Sequence, residues 1–131
     1  MGDAQPPAEE SAESPPTTDG TRLAERIASE LELLSRNVDL LERLANNPPM
    51  GIIRLSEAMQ LPIHKVRYSL HLLEREGVIQ PSADGAVVTD MTAEYWSSLD
   101  RHLEKMSSQI QMLKSRAAEH RAQPPPRRKG Y

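Results

Sequence analysis

Cysteine and phenylalanine are absent from the 131 residues, and the only aromatics are one tryptophan and three tyrosines. Without cysteine there are no disulfides, no thiolate metal sites and no thiol redox sensing, which suits a reducing compartment. Without phenylalanine the core must be aliphatic, drawn from Leu, Ile, Val, Ala and Met, a composition that favours helices. No run approaches the ~20 consecutive apolar residues of a membrane span, and the first residues lack the basic-then-apolar order of a secretion signal. The expected location is therefore soluble and cytoplasmic. The six glycines never form GxGxxG or GxxxxGK. No HExxH spacing occurs, and no Ser, His and Asp stand where one fold would gather them. Neither enzyme activity nor a cofactor is expected. The length suits one small domain with tails.

Sixteen basic and nineteen acidic side chains give a net charge of −3, so the chain as a whole is not a basic body. The charge is segregated. Residues 1–21 hold five acids, no base and four prolines, while 123–131 hold three bases, no acid and three consecutive prolines. Neither stretch offers enough apolar surface to offset chain entropy. The expected organisation is a disordered acidic tail over 1–21, a helix-rich domain over 22–91, a long helix over 92–122 and a disordered basic tail over 123–131.

Leu23, Ile27, Leu31, Leu34, Val38 and Leu41 recur at steps of 4, 4, 3, 4 and 3, which lays one apolar stripe along a helix. It ends at Asn46-Asn47-Pro48-Pro49; a single helix and two helices parted near Asn37 both fit. Leu55 to Met59 reads as a short helix with Met59 in packing, Leu61-Pro62 as a tight connection, and Pro62 to Glu76 as a helix closed by Gly77 at its C′ position. Val78-Ile79-Gln80 and Ala86-Val87-Val88-Thr89, joined by the turn Pro81 to Gly85, carry a hairpin signature.

Helix, short helix, tight turn, helix, glycine and hairpin follow the plan of a winged helix-turn-helix, whose third helix enters the DNA major groove. In that helix Val66, Leu70 and Leu73 dock on the core, which leaves His64, Lys65, Arg67, Tyr68 and His71 for base edges and phosphates. Arg54, Ser56 and Arg75 are placed to reach the DNA backbone, and the acids Glu74 and Glu76 fall at the far end of the helix. His64 and His71 lie about 10 Å apart by helix rise, too far to chelate one metal as a pair.

The run from Ile53 through Leu61-Pro62-Ile63-His64-Lys65-Val66-Arg67-Tyr68 to Glu74-Arg75-Glu76-Gly77-Val78-Ile79 resembles the turn and recognition helix of ArsR-like and MarR-like transcriptional regulators. Met91-Thr92-Ala93-Glu94 is similar to the start of their post-wing helix. The likeness spans Val38 to about Glu94 and is nearest to short archaeal regulators of this kind. It implies a mainly α fold with a small β-hairpin wing, and double-stranded DNA as the partner. Two features depart from the pattern. The wing turn holds Asp84 and no Lys or Arg, and thiolate metal sensing is impossible. No residue set marks a small-molecule ligand. The rival reading is a winged-helix module that docks other proteins and leaves DNA alone.

Thr92, Trp96, Leu99, Leu103, Met106, Ile110, Leu113 and Ala117 follow steps of 4 and 3 without a break, an a/d heptad seam. A helix of roughly 28 residues runs about 40 Å, beyond what the small domain covers, so the seam needs a partner. A homodimer is expected through Trp96, Leu99, Leu103, Met106, Ile110 and Leu113, with the Leu23 to Leu34 helix of either chain contributing. An intramolecular helical hairpin is the alternative. The flanking residues leave parallel and antiparallel pairing open.

Overall fold

The structure, a computed structural model, describes residues 21–123; apart from Thr21 and Gln123, both expected tails lie outside the described residues. Four helices take about 75% of these residues: α1 (Arg22–Asn46), α2 (Ile52–Met59), α3 (Ile63–Arg75) and α4 (Thr92–Ala122). An antiparallel hairpin, β1 (Ile79–Ser82) with β2 (Gly85–Val88), stands between α3 and α4. No helix among the described residues is long and apolar enough to cross a membrane.

Residues 22–46 form one unbroken helix, so Asn37 is an interior position and not a cap. Its place is set by tertiary burial: Asn37, Leu40, Leu41 and Leu44 share one face at steps of 3, 1 and 3, and all four are buried. Of the expected stripe only Leu41 enters the core; Leu34 and Val38 are half-buried and line the cleft toward Leu99 and Leu103. In the N-terminal half, Leu23 and Ile27 are 63% and 52% exposed.

The core joins Leu40, Leu41 and Leu44 to Met50, Leu55, Val66, Leu73, Val78 and Ile79, with Ile52, Met59, Leu70 and Tyr95 packed around them. Met59 is thus in packing, as its helical spacing suggests. Helix α2 starts three residues before Leu55, because Gly51 is extended and its carbonyl accepts from the Leu55 amide at 3.0 Å. Helix α3 begins one residue after Pro62, whose carbonyl accepts from Lys65 and Val66 at 3.1 and 3.3 Å.

At the other end of α3, Gly77 has φ +81. Its amide donates to Glu74 O at 2.9 Å, and the Val78 amide donates to Leu73 O at 3.2 Å. That is a Schellman closure, completed by contact between two buried apolar residues, Leu73 and Val78.

The hairpin is tighter than its sequence suggests. Pairing runs from Ile79 with Val88 to Ser82 with Gly85, so the connection is Ala83-Asp84 alone and the expected five-residue turn is absent. Pro81 sits inside β1 opposite Ala86 without losing a bond. Ala86 turns its amide and carbonyl to Met50, at 2.8 and 3.2 Å, and so asks nothing of β1 at that position. Gly85 makes this approach possible, with φ +132; a Cβ there would lie 2.5 Å from the Met50 carbonyl carbon. Gly85→Ala is expected to break the Met50 link and destabilise the fold by about 2 to 4 kcal/mol, from backbone strain together with two lost hydrogen bonds. Thermal unfolding checks this, and an unchanged midpoint would contradict the close packing.

Candidate nucleic-acid interface

Three buried residues set the angle at which α3 lies on the core: Val66, Ser69 and Leu73, each with no exposed surface. Sequence spacing points instead to Val66, Leu70 and Leu73, yet Leu70 is half-buried. At about 100° per residue the exchange of Leu70 for Ser69 rotates the helix by roughly 30°. His64, Arg67, Tyr68, His71 and Arg75 then fall within an arc of about 100° directly opposite the core, and all five are exposed. Arg75 joins the face, while Lys65, although exposed, moves to its flank. There Lys65 lines a crevice shared with Glu32, Ser35, Arg36 and Asp39 of α1.

The acids are closer than their place near the helix end suggests. Glu74 reaches back one turn, so that its carboxylate lies 4.0 Å from His71 Nδ1. Tyr68 remains 52% exposed, its ring turned to solvent. Arg54 is exposed on α2. Ser56 behaves differently: half-buried, it donates its hydroxyl to the Leu61 carbonyl, and the Leu61 amide returns a bond to Ser56 O at 3.1 Å. With Gln60 left-handed at φ 56, these bonds hold the α2 to α3 connection. The Ser56 hydroxyl is thus engaged in the turn between α2 and α3.

Several residues that fix α3 carry no motif. Arg36 Nη1 donates to Lys65 O at 3.2 Å, which ties α1 to the first turn of α3. Thr89 gathers three elements, because its hydroxyl donates to Gly77 O at 2.6 Å and accepts from the Met91 amide at 3.2 Å, while its amide donates to Val78 O at 2.9 Å. Ser69 Oγ and Asn37 Oδ1 are buried without a hydrogen-bond partner. With no partner, the Ser69 hydroxyl adds only a desolvation penalty. Ser69→Ala is expected to leave stability unchanged or raise it by up to about 1 kcal/mol. A clear loss in chemical unfolding would show that the hydroxyl does have a partner.

No protein-family model matches the chain, and no curated protein matches its sequence.

Among the described residues no group of three or more His, Asp or Glu converges on a metal position. Tyr95 packs on the core, and its phenol is held above the ordinary value by burial and then by Glu76. It stays neutral and serves packing.

The second surface is the cleft between the two long helices. Leu31, Leu34 and Val38 of α1 face Leu99 and Leu103, and further along Ile27 and Leu31 face Leu103, Met106, Ile110 and Leu113. The order shows α1 and α4 running antiparallel. They do not close on each other: the wider part of the cleft holds about 850 Å³. Helix α4 contributes no buried residue at all. Trp96, Leu103, Met106, Ile110 and Leu113 are 36 to 62% exposed, and only Leu99 among the seam residues from Trp96 to Leu113 is half-buried.

Proposed function

We propose that the protein is a sequence-specific, double-stranded DNA-binding transcriptional regulator that acts as a homodimer, with a winged helix-turn-helix body and α3 as its recognition helix. The observation that carries this reading is the exposed arc of α3. Five groups able to contact DNA stand on one side of a helix whose other side is fixed at Val66, Ser69 and Leu73. A rigidly mounted helix of 13 residues is about 20 Å long, enough for its N-terminal half to enter the groove while its C-terminal end meets phosphates. His64, Arg67, Tyr68 and His71 face base edges; Arg75, Arg54 and the flanking Lys65 hold the backbone.

The hairpin supplies little of this grip. Its tip, Ala83-Asp84, carries an acid and no base, and this favours a second reading in which the same fold binds another protein. Selection from a pool of random duplex DNA, at two salt concentrations and with the mass fixed by light scattering, separates the two. The regulator is expected to enrich a site with two related halves. If Arg54, Lys65 and Arg75 of both copies meet phosphates, log affinity should fall against log salt with a slope of about −5. A folded dimer that binds no duplex at low salt would overturn DNA binding in favour of the protein partner.

A further inference from the structure

We infer that the apolar seam of α4 is covered by α4 of a second copy running antiparallel, with the two-fold axis beside Ser108. The inference rests on the dimeric part of the reading above and is independent of what α3 binds. The seam pairs with itself in this direction, as it also would in others, so complementarity of shape alone does not fix the pairing. With the axis at Ser108, Leu103 meets Leu113 of the second copy, Met106 meets Ile110, and Leu99 meets Ala117, each contact occurring twice by symmetry. Because residue 108 lies one position from the centre of a helix that spans 92–122, almost its whole length overlaps.

Charge decides between the two directions. The positions that flank the seam on one side are Asp100, Ser107, Lys114 and Arg121; on the other they are His102, Gln109 and Arg116. In an antiparallel pair each side faces its own copy, so Asp100 lies opposite Lys114 twice and no acid meets an acid. In a parallel pair the two sides face each other. Arg116 then lies opposite Arg121, and no pair of opposite sign forms. The helix dipoles also oppose each other when antiparallel.

The cleft agrees with this occupant. Helix α1 leaves its Ile27 and Leu31 wall standing off from α4, so a helix laid along α4 touches both walls, and two copies build a four-helix bundle. The Thr92 ends then lie about 48 Å apart along the axis by helix rise, with one body at each end.

Because the chain lacks cysteine, single cysteines for spin labels can be introduced into the full-length protein. Ser108→Cys, Ser115→Cys and Ala122→Cys all lie on the side of α4 away from the seam and are exposed. Pulsed dipolar spectroscopy is expected to show an axial offset near zero at position 108, about 21 Å at 115 and about 42 Å at 122. One constant distance at all three positions would overturn the antiparallel pairing and leave the dimer standing. A minimum a heptad away from 108 would overturn the Asp100 to Lys114 register. No coupling between copies would overturn the pairing and the dimer together, and would leave DNA binding to be judged by the duplex selection.

Discussion

Replacing Arg67 and Arg75 together by glutamate is expected to lower specific DNA affinity by on the order of 10³ to 10⁴, with fold and oligomeric state intact. Both side chains are exposed and outside the core cluster, so the variant should keep its helical signal and its mass. A hydrogen bond to a charged group contributes about 1.5 to 3 kcal/mol, and a dimer loses four of them, which reaches at least three decades even if half are partly replaced. The slope of log affinity against log salt should become shallower by about 2, from the Arg75 contact in each copy. The effect should be graded by position. Lys65 lies on the flank of the face beside Glu32 and Asp39, so Lys65→Glu alone should cost less than about tenfold, the scale of one exposed phosphate contact. An Arg67 and Arg75 double variant that binds within threefold of the parent would remove α3 as the contact surface. A Lys65→Glu variant as damaging as the double one would show that the helix is rotated back toward its flank.

That rotation shows where sequence reading reaches its limit. The ends of α3 are legible because Pro62 and Gly77 impose them through local backbone chemistry, and the structure places the helix between them. The angle of the helix about its own axis is not local. Leu70 is the better apolar residue, yet Ser69 is the one buried, which a reading by hydrophobicity alone cannot anticipate. Asn37 is buried in the same way against its propensity. Met50 and Ala86 exchange their bonds across 36 positions, so a strand register read from Pro81 and Gly85 alone overestimates the turn. Thr89 looks like the end of a strand, and only the fold brings Gly77 and Met91 to it. The α4 seam, by contrast, could be read from its 4 and 3 steps alone, since periodicity along one helix needs no partner to be seen. What covers it could not.

Leu103→Asp with Ile110→Asp is expected to convert the proposed dimer to a monomer at micromolar concentration. Both residues lie on the seam and are 39% and 45% exposed, so neither holds the body together, and the core cluster from Leu40 to Ile79 should unfold as before. In the antiparallel bundle each copy would bury two carboxylates against Leu113 and Met106 of the other. Burying an unpaired charge costs several kcal/mol even after relaxation, and four such charges exceed what the seam gains from its half-exposed Leu, Ile and Met at about 1.5 to 3 kcal/mol per fully buried side chain. Light scattering should then give half the parent mass. Loss of the partner should also reach α4 itself. Beyond Leu99 every residue of this helix is exposed, and a stretch of helix with no packing of its own is marginal in water. Its distal half should therefore fray, with a matching fall in helical signal and faster amide exchange beyond Leu103, while α1 to α3 stay protected. Affinity for a two-half site should drop toward that of one half, because a monomer no longer presents two recognition helices in fixed register. An unchanged mass for the double variant would mean that the seam is not what joins the copies, and that α4 keeps its helix by another contact.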